Sequence, residues 1–160
     1  MMKISFRKGE TKDLPELLDC IRELAVYEKA GEQVEVTEKE LLADGFGTRP
    51  LYEFIVAENE GQIIGIALYY FKYSTWKGKT LFLEDLIVKN EFRGFGAGRL
   101  LFIEICKIAN ENKCRRMDWQ VLDWNTPAIE FYKKFNARLD PEWLDGRLFR
   151  EDLERISGMI

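Results

Sequence analysis

The chain has 160 residues and a formal net charge of −4, and its length suits one domain spanning residues 1–160. Because the charge is negative, nucleic acid and an anionic membrane surface are disfavoured as partners, whereas a cationic substrate is compatible with it. The absence of histidine excludes a Ser–His or Cys–His nucleophile and argues against a zinc site, so we expect no bound metal.

The cysteines and the N-terminal sequence indicate a compartment. Cys20, Cys106 and Cys114 are odd in number and lack paired spacing, so they do not predict a disulfide framework. The first ten residues lack the apolar region of a signal peptide, and no run of 18 apolar residues occurs. We therefore expect a cytoplasmic protein without a membrane partner.

The first third of the chain predicts one strand and two helices. Alternation over residues 3–7 predicts the strand. An apolar helical stripe follows, which Thr11 or Asp13 can cap and which should end near residues 27–31, with Gly31 as a stop signal. The second helix should begin with a capping box at Thr37, reach residue 43 and end in the glycines that follow.

The middle of the chain predicts strands. Residues 54–58 and 63–73 read as a hairpin joined at Asn59-Glu60-Gly61. A strand over 80–88 comes next, then a glycine-rich turn, then a helix over 99–110.

The last third predicts mixed structure. Residues 116–122 read as a strand, and Pro127 suits the first turn of a helix that runs to residue 135. We expect a final hairpin that pairs 137–139 with 147–151, and a short helical tail. The element order predicts an α/β (α+β) fold with a mixed, mostly antiparallel central sheet flanked by helices.

The glycine-rich turn predicts a phosphate site. The first N–H groups of a helix lack partners and carry partial positive charge, and three glycines let the turn lie close to a ligand. Arg93 adds a fixed cation, so the segment suits a pyrophosphate. Gly94, Gly96 and Gly98 differ in spacing from the dinucleotide fingerprint, and no Gly-Lys-Ser/Thr follows as in a Walker loop.

Two motifs carry a family resemblance. Arg93, Gly96 and Gly98 resemble the acetyl-CoA loop, Gln/Arg-x-x-Gly-x-Gly/Ala, of the GNAT N-acetyltransferase superfamily. Asn125, ahead of a helix that carries Phe-Tyr at Tyr132, resembles its second signature. The chain more narrowly resembles the spermidine/spermine N-acetyltransferase (diamine acetyltransferase) family, in particular its thialysine-acetylating branch. The matching segments are residues 23–28, 44–47, 69–71, 74–79, 83–85, 93–96 and 121–125.

The resemblance implies an acyl-CoA N-acyltransferase fold, acetyl-CoA as the acetyl donor, a small-molecule amine as acceptor and a homodimer. The acetyl group would pass directly to the amine in a ternary complex. The resemblance assigns the cofactor to Leu86, Ile87, Val88, Arg93, Gly94, Phe95, Gly96, Ala97, Gly98, Arg99, Asn125, Pro127, Ala128 and Tyr132. It assigns the acceptor to Tyr27, Glu28, Glu84, Asp118, Trp119 and Gln120.

The chemistry requires a base and an acid. An alkylamine with a pKa near 10 arrives protonated, so a carboxylate must take its proton directly or through water, and Glu84 is the candidate. In the alternative, Glu84 and Asp85 are alternating strand residues, one of which pairs with an Arg; both readings can hold, because only one of the two can face the cleft. Tyr132 is the candidate acid that returns a proton to the CoA thiolate; packing on a helix face is its other possible role.

The acceptor stays open between several amines. Aromatic and acidic groups suit a diamine or polyamine through ion pairs and cation–π contacts. The polyamine branch has an Asp where this chain has Ser74, which favours a thialysine- or lysine-like amine, and Glu142 or Asp145 could add a carboxylate. Two alternatives remain: a protein or peptide N-acetyltransferase, and a non-catalytic CoA-binding regulatory module.

Overall fold

The computed structural model describes residues 2–159, so the end residues of the expected 1–160 domain, Met1 and Ile160, lie outside it. Its strands form one sheet in the order β1-β2-β3-β4-β5, with three antiparallel pairs and a parallel β4–β5 pair. The strands are β1 Ile4–Lys8, β2 Glu53–Asn59, β3 Gln62–Ser74, β4 Gly78–Val88 and β5 Arg116–Asp118. The predicted mixed, mostly antiparallel sheet is confirmed.

The β2–β3 hairpin confirms the turn expected at Asn59-Glu60-Gly61. Two residues join the strands, and both have positive φ, 51° at Glu60 and 81° at Gly61. Positive φ at both central positions matches the right-handed twist of the flanking strands. The turn therefore joins the two strands directly, and a bulge between Ala57 and Glu58 shifts their register further along.

Two helices precede the hairpin, α1 (Leu14–Tyr27) and α2 (Glu38–Phe46). The capping box of Thr37 and Glu40 is confirmed, since Thr37 Oγ1 accepts from Glu40 N and Glu40 Oε2 accepts from Thr37 N. α1 ends at Tyr27, within the predicted range of residues 27–31, although Lys29, with φ of 60°, rather than Gly31 takes the left-handed conformation after it. One boundary differs from the prediction: α2 continues through Gly45 to Phe46.

The sheet carries helices on both faces. On one face α1 buries Leu14, Leu17 and Leu18 against a core that includes Ile66 and Leu68 of β3. Truncating one such leucine to alanine costs about 2–5 kcal/mol. The other face takes α3 (Ala97–Glu111).

Gly65 shows how closely α3 approaches the sheet. A Cβ at Gly65 would come within 3.0 Å of Leu101 Cδ1 of α3. Because neighbouring strand residues point to opposite faces of the sheet, Gly65 lies on the face that packs on α3, and Ile66 lies on the face that packs on α1.

The contacts divide the chain into two units, residues 1–120 and 121–160. The sheet and α1 to α3 lie in the first unit, and the second contains α4 (Thr126–Lys133) and α5 (Arg150–Ser157). The expected helices after Asn125 and at the tail are confirmed, with α4 ending at Lys133 instead of residue 135.

Two strand predictions were wrong. β5 ends at Asp118 rather than residue 122, because Trp119 turns to pack edge-to-face on Phe102 of α3, with ring centroids 5.5 Å apart. The predicted hairpin of 137–139 with 147–151 is absent from the described residues. Residues 138–151 are all exposed, so a strand there would bury nothing, and from Arg150 an i,i+4 ion pair with Glu154 supports a helix.

Candidate active site

A β-bulge interrupts the pairing of β3 with β4. Leu68 lies opposite Asp85, and the next residue of β3, Tyr69, lies opposite Leu83, so Glu84 has no position facing it. A bulge of this kind adds one residue to a strand and redirects its side chains. The regular alternation of β4 therefore breaks at Glu84.

The bulge places two consecutive carboxylates on one face of the sheet. Asp85 shares the face of Leu68, which packs in the core formed with α1. Glu84 Oε2 accepts a hydrogen bond of 3.3 Å from the hydroxyl of Tyr70, which is two residues from Leu68 and on the same face. The expectation that only one of the two acids can face the cleft is therefore wrong.

A third carboxylate comes from α1. Glu28, the residue after the last turn of that helix, lies close enough to raise the pKa of Asp85 through its charge. No lysine or arginine nitrogen among the described residues lies within 4.0 Å of a carboxylate oxygen of Glu28, Glu84 or Asp85. We call these three side chains the acidic cluster; its uncompensated charge suits a cation.

Burial and mutual repulsion shift the pKa values of the acidic cluster. Burial, with the charges of Glu84 and Glu28 added to it, raises the pKa of Asp85 to about 7. Burial also raises the pKa of Glu28 above its ordinary value. The pKa of Tyr70 is raised by burial and by the carboxylate of Glu84 that it contacts. A carboxyl group that titrates near neutral pH can exchange a proton during turnover.

Near the acidic cluster, the edge of β4 that faces away from β3 has no neighbouring strand among the described residues. The parallel pairing with β5 covers only Thr80 to Phe82, and no other strand of the described residues joins β4 beyond that point. Leu86, Ile87 and Val88 pair with β3 on one side alone. Their other edge can accept an extended ligand by strand addition.

The predicted phosphate loop lies directly after β4. Gly94 and Gly96 have φ of 84° and 86°, a conformation that side chains with a Cβ disfavour, and α3 begins at Ala97. Gly98 and Arg99 lie in its first turn, whose N–H groups have no partner within the helix. Phe95 is 64% exposed at the tip of the loop. The segment thus has the geometry of an anion cradle.

Arg93 is directed away from that cradle. Its Nε donates to the backbone oxygen of Val88 at 2.9 Å, and its Nη2 lies 3.2 Å from Glu23 Oε1. Its guanidinium carbon is 5.5 Å from the ring centroid of Tyr27, a predicted acceptor residue that is 40% exposed.

Three predicted acceptor residues, Asp118, Trp119 and Gln120, lie at the end of β5. The first two contact other side chains of the first unit. Asp118 pairs with Lys72 Nζ and with Arg116 Nε, both at 2.8 Å, so its charge is compensated. Trp119 packs on Phe102, and Gln120 is exposed. Glu84 and Glu28 act on Asp85 through their charges, whereas the partners of Asp118 are Lys72 and Arg116.

The second unit holds the remaining predicted residues. Asn125 is buried and caps α4, since its Oδ1 accepts from Ala128 N at 3.3 Å, and Pro127 occupies the first turn. Tyr132 is 8% exposed, with its ring against Phe131. The other two candidate carboxylates, Glu142 and Asp145, are exposed.

Three features were outside the reach of sequence reasoning. The sequence indicates no role for Asp85 beyond alternation with Glu84 in the strand, and it indicates none for Glu23. The bulge has no local signature, because it follows from a register mismatch between two strands; the adjacent Glu84-Asp85 pair within an apolar strand was the one available signal. The described residues contain no group of three or more His, Cys, Asp or Glu side chains arranged to hold a metal ion, and no helix among them is both long and apolar enough to span a membrane.

Comparison with known proteins agrees with this geometry. Residues 16–137 match the model of the acetyltransferase (GNAT) family. The chain is 41% identical over 169 aligned positions to thialysine N-epsilon-acetyltransferase of Bos taurus, with 99% of each chain covered. It is 37% identical to spermidine/spermine N(1)-acetyltransferase-like protein 1 of Homo sapiens, over 96% of this chain and 23% of that protein.

A solved structure shares the fold. An integron cassette protein from the mobile metagenome of V. cholerae superposes with a TM-score of 0.80 at 24% identity, over 99% of both chains. The chain therefore belongs to the GNAT acetyltransferase family and is an N-acetyltransferase, as the two sequence motifs predicted. Members of this family use acetyl-CoA.

Proposed function

We propose that this chain transfers the acetyl group of acetyl-CoA to a primary amine of a small cation: thialysine or a lysine-like amine, a diamine or a polyamine. The observation that carries the proposal is the acidic cluster of Glu28, Glu84 and Asp85, which has no cationic partner within the described residues and adjoins the unpaired edge of β4. A protonated amine would supply the missing positive charge. The relatives named for thialysine and for spermidine/spermine support this acceptor class.

The residues present fit acetyl-CoA. Leu86 to Val88 offer backbone groups to an extended arm, and the loop from Gly94 to the first turn of α3 offers N–H groups to a pyrophosphate. When bound, acetyl-CoA supplies the activated thioester. From the sequence motif we also assign Asn125, Pro127 and Ala128 to the cofactor, although the side chain of Asn125 already serves as a helix cap.

The reaction requires three proton transfers. Glu84 would take a proton from the acceptor ammonium, directly or through water, so that the neutral amine nitrogen could attack the thioester carbonyl in a ternary complex. Once the C–N bond has formed, the nitrogen must lose a second proton, to water. Tyr132 would donate its phenolic proton to the CoA thiolate as the C–S bond breaks and would regain a proton from water. Asp85, with a pKa raised to about 7, is ionised or protonated in comparable amounts at neutral pH and becomes fully charged when a cation binds beside it.

The acceptor is held by charge and by an aromatic ring. Glu28 and Asp85 pair with its ammonium groups, and Tyr27 contributes a cation–π contact. The Ser74 position favours thialysine or a lysine-like amine over spermidine. Asp118 is compensated by Lys72 and Arg116, so we assign it a smaller share of acceptor binding than the acidic cluster.

Three further proposals come from the sequence and from its family resemblance. The protein acts as a homodimer, it is located in the cytoplasm, and the whole chain functions as one catalytic domain. Analytical ultracentrifugation, cell fractionation and limited proteolysis would respectively test them.

The experiment is a thiol-release assay with acetyl-CoA against thialysine, lysine, spermidine, spermine, putrescine, 1,3-diaminopropane and a lysine-containing peptide. We expect turnover with a small amine and the highest kcat/KM with thialysine. The variants Glu28→Gln and Asp85→Asn should raise the KM for the amine about tenfold each, whereas Glu60→Gln in the exposed β2–β3 turn should not change it.

The other outcomes identify the alternatives. Turnover of the peptide alone would make the chain a protein or peptide N-acetyltransferase and contradict the small-amine proposal. Tight acetyl-CoA binding without turnover of any acceptor would support a CoA-binding regulatory module instead.

A further inference from the structure

The side chain of Arg93 connects three parts of the first unit. Its Nε donates to the backbone oxygen of Val88, the last residue of β4. Its Nη2 pairs with Glu23 Oε1 on α1 at 3.2 Å, and its guanidinium lies over the ring of Tyr27, the last residue of the same helix. One planar cation thus joins the strand that precedes the phosphate loop to the helix end that carries the acceptor residues.

Glu23 is the second half of this connection. The oxygen that pairs with Arg93 also accepts from the backbone N–H of Asn90 at 3.2 Å, in the short 3-10 turn between β4 and the loop. Glu23 therefore holds both the backbone and the side chain of that segment. The sequence motifs assign Glu23 no role.

A parallel contact supports the same orientation of α1. Lys89, at the end of β4, forms an ion pair with Glu16, and its own backbone N–H donates to Ile64 O of β3. Glu16 and Glu23 are seven residues apart, so both lie on the same side of α1, two turns from each other. The helix is thus joined to the end of β4 at two points, and the second of them is next to Tyr27.

We infer that Glu23 and Arg93 act together as positioning residues that hold Tyr27 and the end of α1 against the acceptor site. This inference rests on the proposed function, because Tyr27 and Glu28 are acceptor residues only in that proposal. The guanidinium of Arg93 forms an ion pair with Glu23 and a cation–π contact with the ring of Tyr27. In the proposed function, the loop binds phosphate through its backbone N–H groups. The pair therefore affects acceptor binding more than cofactor binding.

The test compares Glu23→Gln, Arg93→Met and the double variant. Each single variant should raise the KM for the amine about three- to fivefold, the range expected from loss of an exposed cation–π contact. In Glu23→Gln, which leaves the predicted cofactor residues intact, kcat and the Kd for acetyl-CoA should stay within about twofold of the wild type. The double variant should resemble either single variant, because both remove the same connection.

A matched control removes a positive charge elsewhere. Lys107→Met on α3 breaks the exposed Lys107–Glu104 pair of 2.5 Å and changes the net charge by the same amount as Arg93→Met. It should leave both the amine KM and the acetyl-CoA Kd unchanged. If Arg93→Met and Lys107→Met lose acetyl-CoA affinity equally, the loss comes from the change in net charge and not from a direct contact of Arg93 with the cofactor.

Two results would overturn the inference. One is an unchanged amine KM in Glu23→Gln; the other is an Arg93→Met variant that weakens acetyl-CoA binding tenfold or more without changing the amine KM, which would assign the Arg93 charge to the phosphates. If the wild type acetylates no amine, the proposed function fails, and hydrogen exchange over residues 24–30 decides the inference. Faster exchange in both variants than in Lys107→Met supports the positioning role, and equal exchange rejects it.

Discussion

Glu84 and Asp85 are consecutive in the chain, and the bulge in β4 places both carboxylates on the same face of the sheet. Regular strand geometry would separate them to opposite faces. Because the two charges lie close together and the Asp85 side chain is partly buried, with Glu28 nearby, protonation of Asp85 is favoured. The arrangement makes this part of the protein sensitive to pH and receptive to cations.

Asp85→Asn should change how stability depends on pH. The pKa of Asp85 is about 7 in the folded protein against an ordinary 3.8, so between about pH 4 and pH 7 the folded state retains a proton that the unfolded chain releases. The wild type therefore loses stability as pH rises through that window, by at most about 4 kcal/mol. Asp85→Asn should lack this slope and be the more stable protein at pH 8.

Urea unfolding at pH 5 and pH 8 measures this effect. Asp19→Asn, on the outer surface of α1, controls for the removal of one negative charge. A difference between Asp85→Asn and the wild type that is the same at both pH values would show that the carboxyl group does not titrate in this window.

Glu84→Gln should lower kcat/KM for the amine by about 100-fold at pH 7, the smaller end of the range for a general base. The deficit should shrink as pH approaches the pKa of the free amine near 10, where the base is no longer required. Tyr70→Phe is the matched variant, because it removes the hydrogen bond to Glu84 while it keeps the carboxylate. A pH–rate profile parallel to that of the wild type would exclude Glu84 as the base.

Gly96→Ala should weaken acetyl-CoA binding and cost about 1–2 kcal/mol of stability, because φ at Gly96 is 86° and a Cβ disfavours that conformation. No atom lies within 4 Å of the added Cβ, so the cost arises from the backbone alone. Gly98→Ala is the control, since its Cβ would make an ordinary 3.6 Å contact with Val88 in the first turn of α3. Calorimetric titration with acetyl-CoA and thermal melting would measure both effects, and equal behaviour of the two variants would contradict the argument.

Asn125→Ala should lower stability by about 1 kcal/mol, because the side chain caps α4 through the N–H of Ala128. Asn125→Ser keeps a capping oxygen and should restore most of that loss. If Asn125 also binds the cofactor, both variants should weaken acetyl-CoA binding, whereas a purely structural cap predicts that affinity follows stability. Chemical denaturation and acetyl-CoA titration of the same samples separate these two roles.

Tyr132→Phe should lower kcat by at least about 100-fold and leave the Kd for acetyl-CoA nearly unchanged, because it removes a proton donor and keeps the ring. The ring is buried beside Phe131, so the volume-conserving change should preserve packing. Phe131→Leu serves as a packing control on the same helix. Unchanged turnover in Tyr132→Phe would remove this residue from the mechanism.

The sequence predicted what depends on local pattern. The capping box at Thr37, the Glu60-Gly61 turn and the glycine loop before α3 each have a short-range physical cause, and each lies where expected. The failures depend on tertiary context. The C-terminal hairpin had suitable alternation and no surface to bury, and β5 ends early because Trp119 packs on Phe102 of α3.

The sequence predicted which residues belong to the candidate site better than it predicted the contacts between them. The motif identified Arg93, yet its pairing with Glu23 joins residues 70 positions apart, and such partners cannot be read from spacing. Glu84 was identified as an acid in the right strand, whereas the position of Asp85 beside it required the register of β3 against β4.

The bulge also explains why β4 is one residue longer than the part of β3 that it pairs with. Eleven residues of β4, Gly78–Val88, cross ten positions of β3, from Gly65 to Ser74. Deleting Glu84 would leave every paired position of this ladder in register and would restore an even strand. Such a deletion would preserve the fold and remove the pair of adjacent carboxylates. A relative could therefore lose or regain acetyl transfer through an insertion or deletion of one residue at this point, without losing stability.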